Sequence, residues 1–508
     1  MVTQRCLLLK VTICMLLVTK STQSQTEDPK NTVFPDNFLL GAATASYQIE
    51  GGWNASDKGV NIWDEFTHDN PLNIIDHSNG DVACDSYNKY KEDIELLSDM
   101  GVDFYRFSLS WSRILPTGFI NVVSKDGLNY YKNLIDKLLE KDIQPFVTLY
   151  HWDLPSDLEK IGGWMNELIV DYFADYARIV FRELGPKVKY FFTINEPSVF
   201  CLEGYGQTLK APGKNLTGHG EYLCMHNVLK AHAKAYHIYD REFRDTQKGL
   251  LSIVAPCTMY FAKDGNDMEV EDIAFQFSCG WITHPIFSKT GDYPHIMKER
   301  IAENSKIQGY QTSRLPEFSN EWIDYIRGTA DFFALNHYTS KLVEKVPKIP
   351  NVPWYNEIGV NVTVDPSWPS TASKWLKVVP QGLRRILNII KNEYDNPPVI
   401  ITENGFSDNG TLLDLPRIRY YHDYLKAMLE AIYEDGCDVK GFTAWSVLDN
   451  FEWNRGYTEK FGLVNVDFSS PNRTRTPKMS MKWFKNVIKQ RRLVDFDLID
   501  GHYTVVCI

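Results

Sequence analysis

The sequence predicts a parallel (β/α)8 barrel, an α/β fold of the TIM-barrel class with long loops. Eight short apolar runs recur along the chain, and most are followed by a stretch of helical periodicity. Two glutamates, Glu196 and Glu403, stand at the ends of such runs. The 508 residues are 44% hydrophobic and 13% aromatic, enough for a large core and far from a disordered composition. Alternating buried strand and amphipathic helix implies a parallel sheet covered by helices, and eight units favour closure over an open doubly wound sheet. Length alone would suggest two to four domains, but such barrels can take this much chain as one. Residues 25–508 are therefore read as a single barrel domain.

The runs, in order, are FLLGAATAS (38–46), FYRFSLSW (104–111), QPFVTLYHW (144–152), YFFTINEP (190–197), LLSIVAPC (250–257), FFALNHY (332–338), PVIITENG (398–405) and GFTAWSVLD (441–449). Their Ile, Val, Phe and Thr content suits buried strands, and several stop at Pro or Gly. Between them, KYKEDIELLSDMG and GLNYYKNLIDKLLEK carry apolar residues at helical spacing. Gly101 fits the C-cap of the first. The longest irregular stretch, about 341–378, is rich in Pro, Asn and Ser and is read as a loop of the active face. No repeat or low-complexity tract interrupts the pattern.

Residues 1–24 read as a secretory signal, with Arg5, an apolar stretch interrupted by Lys10, and the small residues Thr22 and Ser24 before the cleavage point. That stretch is too short for a membrane span, and the C-terminal HYTVVCI is too short for an anchor. Five N-x-S/T sequons, at Asn54, Asn215, Asn361, Asn409 and Asn472, fit passage through the secretory pathway. The expected location is outside the cell or in the lumen of the secretory or lysosomal route. Removing Arg5, Lys10 and Lys20 with the signal takes the formal charge from −11 to −14. An acidic protein is a poor partner for nucleic acid or anionic membrane. Seven cysteines remain: Cys84, Cys201, Cys224, Cys257, Cys279, Cys437 and Cys507. The odd number leaves at least one unpaired in a monomer, and one or two disulfides at most are expected. There is no CxxC, zinc spacing, P-loop or dinucleotide fingerprint, so no cofactor or metal is expected.

The ends of the runs carry the chemistry. Ligands of α/β barrels bind at the C-terminal rim of the strands. There the second run has Arg106, the third His151 and Trp152, and the fourth Asn195 and Glu196. The sixth has Asn336 and Tyr338, the seventh Glu403, and the eighth Trp445, leading into Glu452 and Trp453; the first runs into Gln48. Taken singly, each has a plainer role: a glutamate as cap or ion-pair partner, a histidine as a satisfied structural residue, a tryptophan as core. Together they bring two carboxyl groups, amides and an imidazole to one rim, with indole faces beside them. That set suits glycoside hydrolysis, with one carboxyl as proton donor and the other as nucleophile or base. Two ionised carboxylates about 5 Å apart are costly, so one should hold a proton near neutral pH. Arg106 is the candidate to keep Glu403 charged.

These motifs resemble glycoside hydrolase family 1, the β-glucosidase family, over residues 34–490. The matching segments are FPDNFLLGAATASYQIEG, YRFSLSWSRILP, YHWDLP, TINEP, NHYTS, ITENG and WSVLDNFEWNRGY. The resemblance implies that Glu196 is the acid/base and Glu403 the nucleophile of a retaining β-glucosidase. It implies that Gln48, His151, Asn195, Glu452 and Trp453 bind sugar hydroxyls and that Trp445 is a sugar platform. Asn336 and Tyr338 would line the site, Tyr338 close to Glu403, and Trp375 would face the leaving group. Lys460 stands where many relatives place Arg before FGL. A carboxylate at Glu452 would repel a 6-phosphate and favour a neutral hexose. The expected partner is a small-molecule glycoside, with the protein a monomer or homodimer. Two other readings are weighed: a thioglucosidase of the myrosinase type, for which Lys341 could supply a cation, and a non-catalytic sugar-binding member, which retention of both glutamates disfavours.

Overall fold

All eight runs form strands of one closed, wholly parallel barrel in a computed structural model that describes residues 29–347 and 355–495. The segment read as a signal, Cys507 and the C-terminal HYTVVCI lie outside the described residues. The strands are β1 (Leu39–Ala43), β2 (Phe104–Ser108), β3 (Gln144–Tyr150), β4 (Tyr190–Asn195), β5 (Leu250–Pro256), β6 (Phe333–Asn336), β7 (Val399–Asn404) and β8 (Val439–Trp445). Each pairs with its neighbours in sequence order, and β1 closes on β8 from Leu39 against Gly441 to Ala43 against Trp445.

The two patterned stretches form the helices Ser86–Met100 and Lys125–Leu139. Gly101 ends the first in a left-handed conformation (φ 76°), its N–H returning to Leu97 O. Only glycine adopts that conformation without steric cost, which is why the helix stops there.

The barrel interior is layered. At the N-terminal end Phe104, Phe146, Phe192, Val254, Phe332 and Ile400 form a dry aromatic plug, with Phe104 stacked on Phe146 at 4.0 Å. Toward the C-terminal end the inward residues turn polar: Arg106, Thr148, Asn195 and Thr402 are all buried. The plug closes the barrel below, and the cavity opens at the C-terminal strand ends.

The stretch expected to be irregular, 341–378, departs from that expectation. Ser340–Lys345 pairs in parallel with Met259–Ala262 and antiparallel with Val360–Thr363, making a three-stranded sheet over the rim. Alternating Lys and Glu in SKLVEK hide a strand whose partners come from distant chain. Two disulfides brace the same side. Cys201–Cys224 ties the turn after Glu196 to the helix Gly220–Glu242, and Cys257–Cys279 ties the end of β5 to the helix Cys279–Phe287. Cys84 and Cys437 are free and buried, and burial pushes both thiols up.

Candidate active site

Arg106 organises the polar layer. Its Nη1 donates to Glu403 Oε1 at 2.6 Å and to Thr402 O at 3.1 Å, its Nη2 to Asn195 Oδ1 at 2.7 Å, and its Nε to Thr148 Oγ1 at 3.2 Å. The guanidinium also lies over the Phe192 ring. A buried arginine spread over four acceptors has one orientation only, and it fixes one carboxylate oxygen of Glu403. The other oxygen, Oε2, accepts from Tyr338 Oη at 2.7 Å.

Glu196 follows β4 in a left-handed conformation (φ 47°), with Pro197 starting the next helical turn. A non-glycine residue there costs roughly 1–2 kcal/mol. Trp152 (φ 80°) and Trp453 (φ 48°) share this strain and line the same cavity. The rest of the barrel holds the Glu196 backbone, its N–H donating to Val254 O at 3.0 Å. Asn336 Nδ2 donates to Glu196 Oε1 at 2.7 Å and reaches Asn195 Oδ1 at 3.3 Å. The two glutamates are thus joined through Arg106, Asn195 and Asn336. Burial and the charge of Glu403 push the Glu196 carboxyl up to about 8, against the pull of Asn336, Arg106 and Lys210.

Above them opens a cavity of about 700 Å³, several times the size of one hexose. His151, Trp152, Glu196, Asn336, Tyr338, Trp375, Glu403, Trp445, Glu452 and Trp453 all line it. His151 is held neutral by burial and by Arg106, and the Asn195 amide donates to its Nε2 at 3.1 Å. Its ring lies nearly parallel to Trp445 and Trp453, with centroids 5.9 and 6.0 Å away. Trp152 Nε1 donates to Asn195 O. Trp375 is 46% exposed and meets Tyr338 edge-on at the mouth.

Gln48 and Asn195 sit behind the cavity wall. Gln48 is fully buried, its Nε2 on Phe451 O (2.8 Å) and Asn450 Oδ1 (3.0 Å) and 3.5 Å from Glu452 Oε2. Its Oε1 has no hydrogen-bond partner among the described residues. Burial first, then Glu459, push the Glu452 carboxyl up to about 8, so below that pH it carries a proton and exerts no repulsion of its own. A phosphate dianion would still face Glu403 and Glu459 across the same cavity.

The cations of the rim divide differently from the sequence reading. Lys341 lines the cavity, half-buried, and makes no ion pair among the described residues; burial pulls its ammonium down. Lys460 turns away, its Nζ 4.4 Å over the Phe468 ring. Lys210 lines the cavity without having been singled out, its Nζ 3.4 Å from Glu203 and 5.3 Å over Trp152. Glu203, Arg455 and Glu459 join it there. Nothing in the pattern around a loop lysine marks it as inward, since such lysines are ordinarily solvated. Among the described residues no group of three His, Cys, Asp or Glu side chains is arranged to hold a metal. No described helix is long and apolar enough to cross a membrane.

A closed parallel barrel with two linked carboxyl groups in an indole-walled cavity at its C-terminal rim defines a barrel glycosidase. Residues 30–493 match the model of glycosyl hydrolase family 1, and the chain belongs to that family. Myrosinase 1 of Brevicoryne brassicae is 47% identical over 459 residues, 90% of this chain and 98% of that protein. The cytosolic beta-glucosidase of Homo sapiens is 42% identical over 466 residues, 91% and 99% of the two chains. The solved structure of an aphid myrosinase superimposes with a TM-score of 0.86 at 47% identity, covering 90% of this chain and 99% of that one. The protein is a glycoside hydrolase.

Proposed function

We propose that this protein hydrolyses β-D-glucosides with retention, through a covalent glycosyl intermediate on Glu403. The observation that carries the reading is the asymmetry of the linked pair. Glu403 is an ion-paired carboxylate between Arg106 and Tyr338, whereas Glu196 holds its proton up to about pH 8. Glu403 attacks the anomeric carbon as Glu196 gives its proton to the departing aglycone oxygen. The new ester removes the Glu403 charge, which with the larger effect of burial holds the Glu196 proton. Glu196 can then take a proton from water, whose oxygen displaces Glu403 and restores the β configuration. His151, Glu452 and Trp453 are assigned to the sugar hydroxyls, Trp445 to the sugar face and Trp375 to the aglycone, with Gln48 behind Glu452 and Asn195 behind His151 holding those two in place.

Anomer detection by proton NMR tests this: β-glucose should appear first from 4-nitrophenyl β-glucoside. A 2-fluoroglucoside should add one sugar mass to the Glu403 peptide, and Glu403→Gln should abolish turnover. First-formed α-glucose, or label on another residue, overturns the assignment.

Lys341 supports a second reading. A cation in the cavity wall that makes no ion pair among the described residues suits a glycoside whose aglycone carries a negative charge, such as a sulfated thioglucoside, where leaving-group ability reduces the need for an acid. A preference for that substrate over its neutral analogue, lost in Lys341→Ala, would put this reading first. For location we favour the secretory route. The two disulfides belong to an oxidising compartment, and all five sequon asparagines are exposed.

A further inference from the structure

We infer that Tyr420 and Tyr424 are positioning residues that set Tyr338 against Glu403 and tie both to the segment carrying Trp375. The two tyrosines lie one turn apart on the helix Leu415–Tyr433, outside the barrel and away from any substrate. Residues four apart share a helix face, and their rings stack with centroids 4.0 Å apart. Both are fully buried, and burial holds both phenols neutral.

Packing alone would need only the rings. The hydroxyls are spent on active-site backbone. Tyr420 Oη donates to the Tyr338 carbonyl at 2.7 Å and Tyr424 Oη to the same oxygen at 2.9 Å. One carbonyl oxygen has two lone pairs, and both are taken. As acceptors the hydroxyls reach in two further directions. Tyr420 Oη receives Asn404 Nδ2 at 3.0 Å, from the residue directly after Glu403. Tyr424 Oη receives the Val379 N–H at 3.0 Å, four residues after Trp375. Asn404 Nδ2 also donates to His337 O at 2.7 Å, and Thr339 Oγ1 exchanges hydrogen bonds with the Lys377 backbone, closing the frame on both sides of Tyr338. The backbone of residues 337–339 is therefore fixed from one helix, and with it the reach of Tyr338 Oη to Glu403.

The two hydroxyls divide the work. Tyr420 spans Tyr338 and the nucleophile strand, so its loss should act on the chemistry. Tyr424 spans Tyr338 and the Trp375 segment, so its loss should act more on aglycone binding. The inference rests on Glu403 being the nucleophile, which fluorosugar labelling of the unaltered protein tests separately.

Tyr420→Phe should lower kcat about tenfold on every β-glucoside, short of the ~10²-fold that a 1 Å misplacement of reacting groups can cost. It should also move the acid limb of kcat/KM to higher pH, because Glu403 loses a well-placed donor. Tyr424→Phe should raise KM for aryl glucosides several-fold, about three to ten, with a smaller change in kcat. The deciding measurement is a cycle with Tyr338→Phe. If Tyr420 acts through Tyr338, then Tyr420→Phe made on top of Tyr338→Phe should cost little further kcat and leave the acid limb where it was. Full additivity of the two losses overturns the inference, as does a Tyr420→Phe protein that melts lower but keeps kcat and pH profile. Should Tyr420→Phe not fold, Tyr424→Phe decides alone, and an unchanged KM for aryl glucosides in that variant overturns the inference.

Discussion

In the retaining cycle proposed above, Glu196 holds a proton in the free enzyme and loses it once the sugar is on Glu403, and its contacts suit both states. Among the described residues only Asn336 donates to it directly, so none of them locks it in the charged form. Burial lifts it first and the charge of Glu403 second, and the second would go on glycosylation of Glu403. Glu196→Gln should therefore act unevenly. On glucosides with poor leaving groups kcat/KM should fall about 10²–10⁴-fold. On a dinitrophenyl glucoside the first step should survive and the intermediate accumulate, with azide restoring turnover as β-glucosyl azide. The alkaline limb of kcat/KM, near pH 8 in the unaltered protein, should vanish with the acid. Equal losses on good and poor leaving groups, with no azide rescue, would remove Glu196 from the role. Both glutamates were legible in the sequence because each ends an apolar run at a Pro or Gly boundary. Lys210 and Glu203 were not, because their inward position depends on how the segment after Glu196 folds back, and no local pattern records that.

Elements differ in legibility for the same reason. A barrel strand buried on both faces is a continuous apolar run, so TINEP and ITENG can be read without partners. The rim sheet cannot: Ser340–Lys345 and Val360–Thr363 are half-solvated and polar, and Ser340–Lys345 is a strand because Met259–Ala262 lies on one side of it and Val360–Thr363 on the other. Cysteine spacing likewise predicted a number of disulfides but not their pairing. Cys257–Cys279 now matters to function because Cys257 lines the cavity next to Thr258, just before Met259–Ala262. The bridge spans 22 residues, and restricting a loop of that size in the unfolded chain stabilises by about 3 kcal/mol. Replacing both cysteines by Ala should lower the melting temperature and raise KM for bulky aglycones, with kcat on a small aryl glucoside nearly kept. An unchanged KM would show that the rim sheet holds its place without the bridge.

For the whole molecule, the buried titratable groups set opposing slopes of stability with pH. Burial pushes Glu196 and Glu452 up to about 8 and Asp153 up to about 7. Unfolded carboxyls titrate near 4, so from there up to pH 8 the unfolded chain has released protons that the folded one keeps. Their contribution is complete below about pH 4 and is lost as pH rises through 7 and 8. Buried histidines do the reverse. His226 and His337 are pulled down to about 4, His232 to about 3, and His151 well below its ordinary range. Protons taken up by these side chains in the unfolded chain, with pKa near 6.5, cost stability as pH falls below that value. Above pH 6.5 the carboxyl slope dominates, and below it the histidine slope opposes it. Stability should therefore decline from about pH 6.5 toward pH 8.5. Calorimetry of Glu196→Gln/Glu452→Gln isolates the first term. The double variant should lose most of the fall in melting temperature between pH 6.5 and 8.5 and fall more steeply toward acid pH, since the two carboxyls it removes oppose the histidines there. A double variant with the same alkaline decline as the parent would show that these carboxyls ionise without cost, and would weaken the case for Glu196 as the resting proton donor.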